Sequence, residues 1–258
     1  MKTDMPISVI MPARNAERFV ATAIASLMRE RDAVELDIIV IDDGSTDGTR
    51  PILQNLAREC PELRLLQNPR KGIAAARNTG LDHLPSGCQF VTFLDADDIS
   101  YPGRIERQRS LLAGDPTIDV LYGLMEMFTR QDESALAPAP GSRTKLIRGP
   151  YLQSAMYRRA VIDKVGRFDE SFRQGDDSDF VLRVIEQRFR LVLDDGIAAY
   201  YRRHDANVTL NVEEVQREFM LASLKWAARN RIARKGPIPP IFAEMFLSRA
   251  DIEGDFDK

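Results

Sequence analysis

The sequence predicts an α/β protein with a mostly parallel central sheet flanked by helices. Short runs rich in β-branched residues, 7–11 and 37–41, each stop at polar or turn-forming residues, as buried parallel strands do. Apolar residues at helical spacing follow these runs, so strand and helix patterns alternate through the first half of the chain. Acidic clusters stand at several strand ends, the rim where ligands of parallel sheets bind.

The elements follow in order. The run 7–11 (ISVIM) is a strand, and Phe19, Ala23, Ile24, Leu27 and Met28 form the apolar stripe of a first helix. Residues 37–41 (DIIVI) give a second strand, 47–58 a helix, 63–67 a strand, 73–84 a helix and 90–94 a strand. These are successive βαβ units with right-handed crossovers. A helix is expected over 102–113 with Pro102 in its first turn, then a longer strand at DVLYGLMEMF. The polar, Pro- and Gly-containing stretch 129–145 reads as an exposed loop. SAMYRRAVIDKVG is a strand and helix, a helix opens near DDSDF, and RLVLD and GIAAYYRR are two strands. A mixed-charge helix spans about 211–234, before KGPIPP and an acidic terminus expected to fray.

Composition narrows the function classes. With 258 residues, the chain suits one large domain or a catalytic domain with an appendage. At 44% hydrophobic and 29% charged it reads as soluble and globular, and no apolar run approaches a membrane span. The N-terminus lacks a signal-peptide pattern, so the expectation is a cytoplasmic protein. A formal net charge of −3 gives no reason to expect a nucleic-acid partner. Cys60 and Cys88 lack zinc or disulfide spacing and are expected to be free thiols.

Four strand ends could carry chemistry. In VIMPARN, Arg14 and Asn15 offer a planar cation and an amide able to meet a nucleobase, although a turn capped by Asn15 is the simpler account. In VIDDGSTDGT, Ser45 to Asp47 suit helix capping, which leaves Asp42 and Asp43 without a purely structural reason. NPRKGIAAARNTGL groups Arg70, Lys71 and Arg77 around Gly72, which suits a diphosphate, although for the segment by itself a surface loop followed by a helix with alanine packing is the simpler account. In FLDADDIS, three carboxylates end a strand, and two of them about 4 Å apart repel by about 4 kcal/mol at an effective dielectric near 20. In an extended chain Asp95 and Asp97 share a side, where a divalent cation would offset the repulsion; capping of the next helix is the rival account. Downstream, Asp176, Asp177 and Asp179 open a helix, where acids favour the dipole, and His204 ends YYRRH.

Taken in order, SVIMPARN, VIDDGSTDGT, GIAAARNTG, FLDADD, GDDSDF and YRRH resemble the glycosyltransferase family 2 pattern over residues 6–209. The resemblance implies a nucleotide-diphospho-sugar transferase (glycosyltransferase A-type) fold, with a Rossmann-like sheet shared by a nucleotide-sugar half, 1–98, and an acceptor half, 99–210. Residues 211–258 would be a C-terminal helical extension. It implies nucleotide-sugar binding by Pro12, Ala13, Arg14, Asn15, Asp42, Asp43, Gly72, Arg77, Asp95 and Ala96. A Mn²⁺ or Mg²⁺ site would use Asp97, Asp95 and His204, and catalysis would fall to Asp177 as general base with Asp176 beside it. Arg14 stands where the family usually has tyrosine, and Asp176 where it has glutamate. The implied reaction is inverting transfer from a nucleotide-diphosphate sugar, UDP-sugars favoured, to a glycan or lipid-linked acceptor in polysaccharide or glycoconjugate biosynthesis. A nucleotidyltransferase that makes sugar nucleotides and a non-catalytic binding module are the alternatives. The first would be expected to carry a Gly-rich phosphate loop after its first strand, which MPARNAERF lacks. A dehydrogenase is disfavoured by the lack of an early GxGxxG. The 211–234 helix could pack on the domain, form a homodimer or touch a membrane peripherally; packing is the expectation.

Overall fold

The computed structural model describes residues 5–132, 134–205, 207 and 210–233. The expected frayed terminus and KGPIPP lie outside the described residues.

The first part of the chain alternates as expected: β1 (Ile7–Ala13), α1 (Val20–Met28), β2 (Leu36–Asp42), α2 (Thr49–Glu59), β3 (Leu63–Gln67), α3 (Ile73–Asp82) and β4 (Phe90–Phe93). A short β5 (Ile99–Ser100), α4 (Arg104–Gly114) and β6 (Val120–Phe128) follow. Then come a small hairpin of β7 (Gln131–Asp132) and β8 (Ala137–Pro138), β9 (Thr144–Ile147), β10 (Ala155–Arg158), α5 (Arg159–Val165), α6 (Asp176–Glu186), β11 (Leu191–Arg202) and α7 (Val212–Ala233). Among the described residues one nine-stranded sheet runs β3-β2-β1-β4-β10-β6-β11-β5, with β9 paired to β6. The ladders β3-β2-β1-β4 and β6-β11 are parallel, whereas β10, β5 and β9 pair antiparallel. β10 lies between β4 and β6 and joins the two halves into one sheet.

Alternation along the strands separates two apolar layers. Ile7, Val9 and Met11 pack with Val20, Ile24, Leu27, Leu53, Ile105 and Leu112 on one face. Ile10, Ile39 and Ile41 pack on the other with Ala74, Ala76, Val161, Ile162, Phe180 and Ala222. The alanines of α3 are thus explained by close helix-on-sheet packing. A Cβ at Gly80 would lie 2.6 Å from Ile10 Cγ2, so glycine is required there.

Four expectations need correction. Pro102 is not in the first turn of α4: the helix starts at Arg104, after Gly103 in the left-handed region (φ 73°). RLVLD and GIAAYYRR form one strand, β11, whose register shifts between Leu193 and Ala199. A Cβ on the facing Gly123 would sit 2.7 Å from the Gly196 carbonyl oxygen, so the irregular strand bears directly on its neighbour. The stretch 129–145 is not simply a loop: it holds the β7–β8 hairpin and the start of β9. Pro140 and Gly141 mark the turn between β8 and β9, whereas Pro138 lies within β8. Asn15 does not cap α1, as described below.

Candidate functional site

The carboxyl ends of β1, β2 and β4 meet the start of α6 and the end of β11. At β1, Asn15 takes a left-handed φ of 47° and stitches two loops together. Its N–H donates to Ser45 Oγ (3.1 Å), and its Oδ1 accepts the Thr46 N–H (2.9 Å). Asp47 accepts the Thr49 N–H at 3.0 Å, beside the start of α2. Pro12 and Ala13 are buried at the end of β1, while Arg14 is exposed at the rim.

The adjacent Asp42 and Asp43 have separate tasks. Asp43 is spent on structure: its carboxylate accepts the Asn68 amide (2.6 Å) and the Gly72 N–H (3.0 and 3.1 Å). Gly72 has φ 105°, a conformation that favours glycine, and opens α3. Asp42 Oδ1 accepts the Ser45 N–H (3.0 Å), whereas its buried Oδ2 accepts no hydrogen bond among the described residues, with Arg50 at 3.6 Å. An orphaned buried acceptor suits a ligand N–H.

Arg70, Lys71 and Arg77 do not act as one cluster. Arg70 pairs with Glu170 (3.0 Å) at the surface. Arg77 is buried and bridges the two halves, with Nη1 donating to Asp176 Oδ2 (2.6 Å) and Nη2 to Asp95 Oδ1 (3.2 Å). Burial disfavours its charge, but Asp176, Asp95 and Asp177 outweigh that and raise its pKa. The guanidinium also lies 5.7 Å from the Phe168 ring centroid.

The FLDADD acids are arranged by a turn. β4 ends at Phe93, and the Asp98 N–H donates to the Asp95 carbonyl (3.1 Å), so the expected extended-chain alternation does not apply. Asp95 faces Arg77 and Gln153, whose Nε2 donates to Asp95 Oδ2 (2.5 Å). Asp97 Oδ2 lies 3.0 Å from His204 Nε2. Asp98, fully buried, accepts the Arg202 N–H at Oδ1 (3.0 Å) and Gln153 Nε2 at Oδ2 (3.3 Å). Burial, then the charges of Asp97 and Asp95, push its carboxyl well above the ordinary range, which favours its protonated form. Burial also raises Asp95, against the pull of Arg77. Separate partners and a protonation-prone member therefore relieve the repulsion. Ala96 is buried within the turn.

Asp97 and His204 present a carboxylate oxygen and an imidazole nitrogen side by side, a donor pair that fits a divalent cation completing its shell from phosphate and water. Among the described residues no group of three or more His, Cys, Asp or Glu side chains is arranged to hold a metal. Asp95, committed to Arg77 and Gln153, is not part of such a set. The His204 and Phe19 ring centroids lie 4.6 Å apart, and Arg202 stacks over the Phe19 ring.

Across from this turn, α6 presents Asp176 and Asp177 in its first turn. Asp176 is fully buried on Arg77, and its Oδ1 has no hydrogen-bond partner among the described residues. Asp177 keeps part of its surface open while sitting deep among protein atoms. Burial, then the Asp176 charge, push its carboxyl up to about 6, against the pull of Arg77 and the Ser178 N–H. The buried Tyr122 and Tyr157 hydroxyls, 2.6 Å apart, lie within electrostatic range of this acid.

Sequence reasoning missed Gln153, which ties Asp95 to Asp98, and Asn68, which locks Asp43. Gln153 stands in no patterned or charged segment, and Asn68 opens NPRKGIAAARNTGL, where the basic residues drew the reading instead. Arg202 was visible in YYRRH, but nothing there showed that its Nε would hold the Asp97 carbonyl (2.8 Å).

This architecture recurs in solved structures. Staphylococcus aureus TarS 1–349, in complex with UDP-GlcNAc, superposes with TM-score 0.63 at 21% identity, covering 80% of this chain and 61% of that one. The mannosyltransferase PcManGT from Pyrobaculum calidifontis, in complex with GDP-Man and Mn²⁺, gives TM-score 0.67 at 21% identity, covering 95% and 69%. The fold is that of the A-type glycosyltransferases. The model of glycosyl transferase family 2 matches residues 8–167, and the chain belongs to that family. Among curated relatives, the succinoglycan biosynthesis protein ExoU of Rhizobium meliloti is 30% identical over 222 residues, covering 76% of this chain and 62% of its own length. The Escherichia coli UDP-Glc:alpha-D-GlcNAc-diphosphoundecaprenol beta-1,3-glucosyltransferase WfgD is 34% identical over 148 residues, covering 56% of each. The chain thus spans less than two thirds of the length of either relative. No helix among the described residues is long and apolar enough to cross a membrane.

Proposed function

We propose that this chain is an inverting, metal-dependent glycosyltransferase that moves a sugar from a nucleoside diphosphate to an acceptor hydroxyl, with Asp177 as general base. The observation that carries the reading is the Arg77 fork. It ties Asp95, on the turn after β4, to Asp176, the neighbour of Asp177, so acids far apart in the chain meet at one guanidinium.

In the reaction, the acceptor oxygen attacks the anomeric carbon, the bond from that carbon to the diphosphate oxygen breaks, and configuration inverts. Asp177 accepts the hydroxyl proton as the new bond forms; a carboxyl pushed up to about 6 is suited to that task near neutral pH. Asp42, with its orphaned oxygen, would accept an N–H of the base, and Arg14 would stack on it from the rim. Asp176 and Asp95 largely balance the charge of Arg77, so its task is chiefly to hold both acids in register while lining the diphosphate site. A cation on Asp97 and His204, when bound, would supply Lewis-acid stabilisation of the departing diphosphate.

The name of WfgD supports a UDP-sugar donor and a lipid-linked acceptor, and that of ExoU supports polysaccharide assembly. A nucleotidyltransferase would release pyrophosphate from a nucleoside triphosphate and a sugar phosphate, which is not expected here. Asp177→Asn should abolish transfer while nucleotide-sugar binding stays within about threefold, as expected for a group acting in the transition state. Full turnover by this variant places the base elsewhere.

A further inference from the structure

Glu218 belongs to no motif and lies beyond the family-matched span, yet its side chain is buried against the segment that carries the acceptor-side acids. One oxygen, Oε2, accepts the backbone N–H groups of Arg173 (2.9 Å), Gln174 (3.3 Å) and Gly175 (3.3 Å). These residues immediately precede Asp176, and Gly175 is the residue from which α6 starts. Gly175 has no side chain with which to cap the helix, and the N–H groups that Glu218 takes from α7 are those of the three residues leading into it. The approach is close: a Cβ at Gly175 would lie 2.9 Å from Glu218 Cβ and 3.1 Å from Phe172 Cδ1. Further bonds from α7 flank the same segment. Glu214 accepts from the Gln174 amide (3.0 Å), Lys225 donates to Asp169 (2.6 Å), and Arg229 donates to Asp179 (3.0 Å) and Glu186 (2.8 Å).

We propose that Glu218 is a positioning residue for catalysis: by gathering three backbone N–H groups on one carboxylate oxygen, it fixes the turn that launches α6 and so the direction in which Asp177 faces. The inference rests on the reading of Asp177 as the base. Hydrogen bonds to a charged acceptor are stronger than neutral ones, and three converging on one atom leave the turn little freedom. Without them the donors must turn to water, and Asp177, in the first turn beyond, moves with them. The C-terminal helix thereby completes an active site whose motifs all lie before it.

The test uses the full chain with Glu218→Met, which removes the acceptor but keeps side-chain volume, and Glu218→Gln, which retains an oxygen able to take the same N–H groups. Turnover is followed as UDP released from a panel of UDP-sugars with Mn²⁺, at a temperature where melting curves show each variant folded. Glu218→Met should lower kcat by about 10²-fold, the scale of a 1 Å misplacement, with donor KM within about twofold. Glu218→Gln should restore most of the rate. A substrate-independent arm titrates the Asp177 carboxyl by ¹³C NMR, assigned with Asp177→Asn. Asp176, Arg77, Asp95, Tyr122 and Tyr157 face it and are unchanged in the Glu218 variants. Loosening the turn admits water and favours the charged form, so Glu218→Met should shift the titration downward from about 6 toward the ordinary carboxylate range. An unmoved titration in folded Glu218→Met, or kcat within twofold of the parent while Asp177→Asn is inactive, overturns the role of Glu218. Turnover retained by Asp177→Asn overturns the base instead.

Discussion

Replacing Arg77 with methionine should destabilise the protein by an amount that depends on pH. The guanidinium is 5% exposed and lies 2.6 Å from Asp176, itself 1% exposed, and 3.2 Å from Asp95. Removing one partner of a buried ion pair costs about 3–5 kcal/mol, because the remaining charge is stranded away from water. Here two carboxylates lose their partner. Asp95 keeps the Gln153 amide, and Asp176 keeps the partial positive charge of the α6 N-terminus, so the middle of that range, about 4 kcal/mol, is expected near pH 8. A proton can replace the missing cation. Burial already holds the Asp95 carboxyl above its ordinary value against the pull of Arg77, so without Arg77 the folded state binds more protons there than the unfolded state and stability falls as pH rises. The loss relative to the parent should therefore shrink by about 2 kcal/mol between about pH 8 and pH 5, at up to about 1.4 kcal/mol per pH unit for each proton. Urea denaturation followed through the single tryptophan, Trp226, measures both values. A loss below about 1 kcal/mol near pH 8, or one equal at both pH values, would refute the stranded-charge reasoning.

Two further outcomes concern the reaction. Asp177 must be deprotonated to act as base, so log kcat should fall with unit slope below about pH 6 and level off above it, and a flat profile through that region contradicts the assignment. Asp97→Ala and His204→Ala should each weaken Mn²⁺-dependent binding of a UDP-sugar by about 10-fold or more in calorimetry. Undiminished binding in both would remove these residues from the cation site.

Why some elements were legible is a matter of range. The strands 7–11, 37–41 and 63–67 and the helices between them announce themselves through local periodicity, because each buries one face or both against the same layers. β10 gives no such signal of its place. Its insertion between β4 and β6, antiparallel to both, is settled by which edges meet, and the sequence between those strands carries no trace of that choice. β5 is two residues long and exists only because β11 pairs with it. The extended-chain placement of Asp95 and Asp97 assumed that β4 continues through them, but the chain turns after Phe93.

By itself the sequence determined the α/β class, the order of strands and helices in the first half, and the acids that stand where strands finish, since all of these follow from side-chain period and short-range turn chemistry. The tertiary structure alone decided what each acid does. Asp42 and Asp43 are adjacent in the chain, yet one is locked to Gly72 and Asn68 and the other retains an open acceptor. Arg77 joins Asp95 to Asp176, and Glu218 holds the turn before Asp177 although it stands 43 to 45 positions further along the chain. Electrostatics and hydrogen bonding act through space over a few ångströms, so partners far apart in the chain become readable only once folding has brought them together.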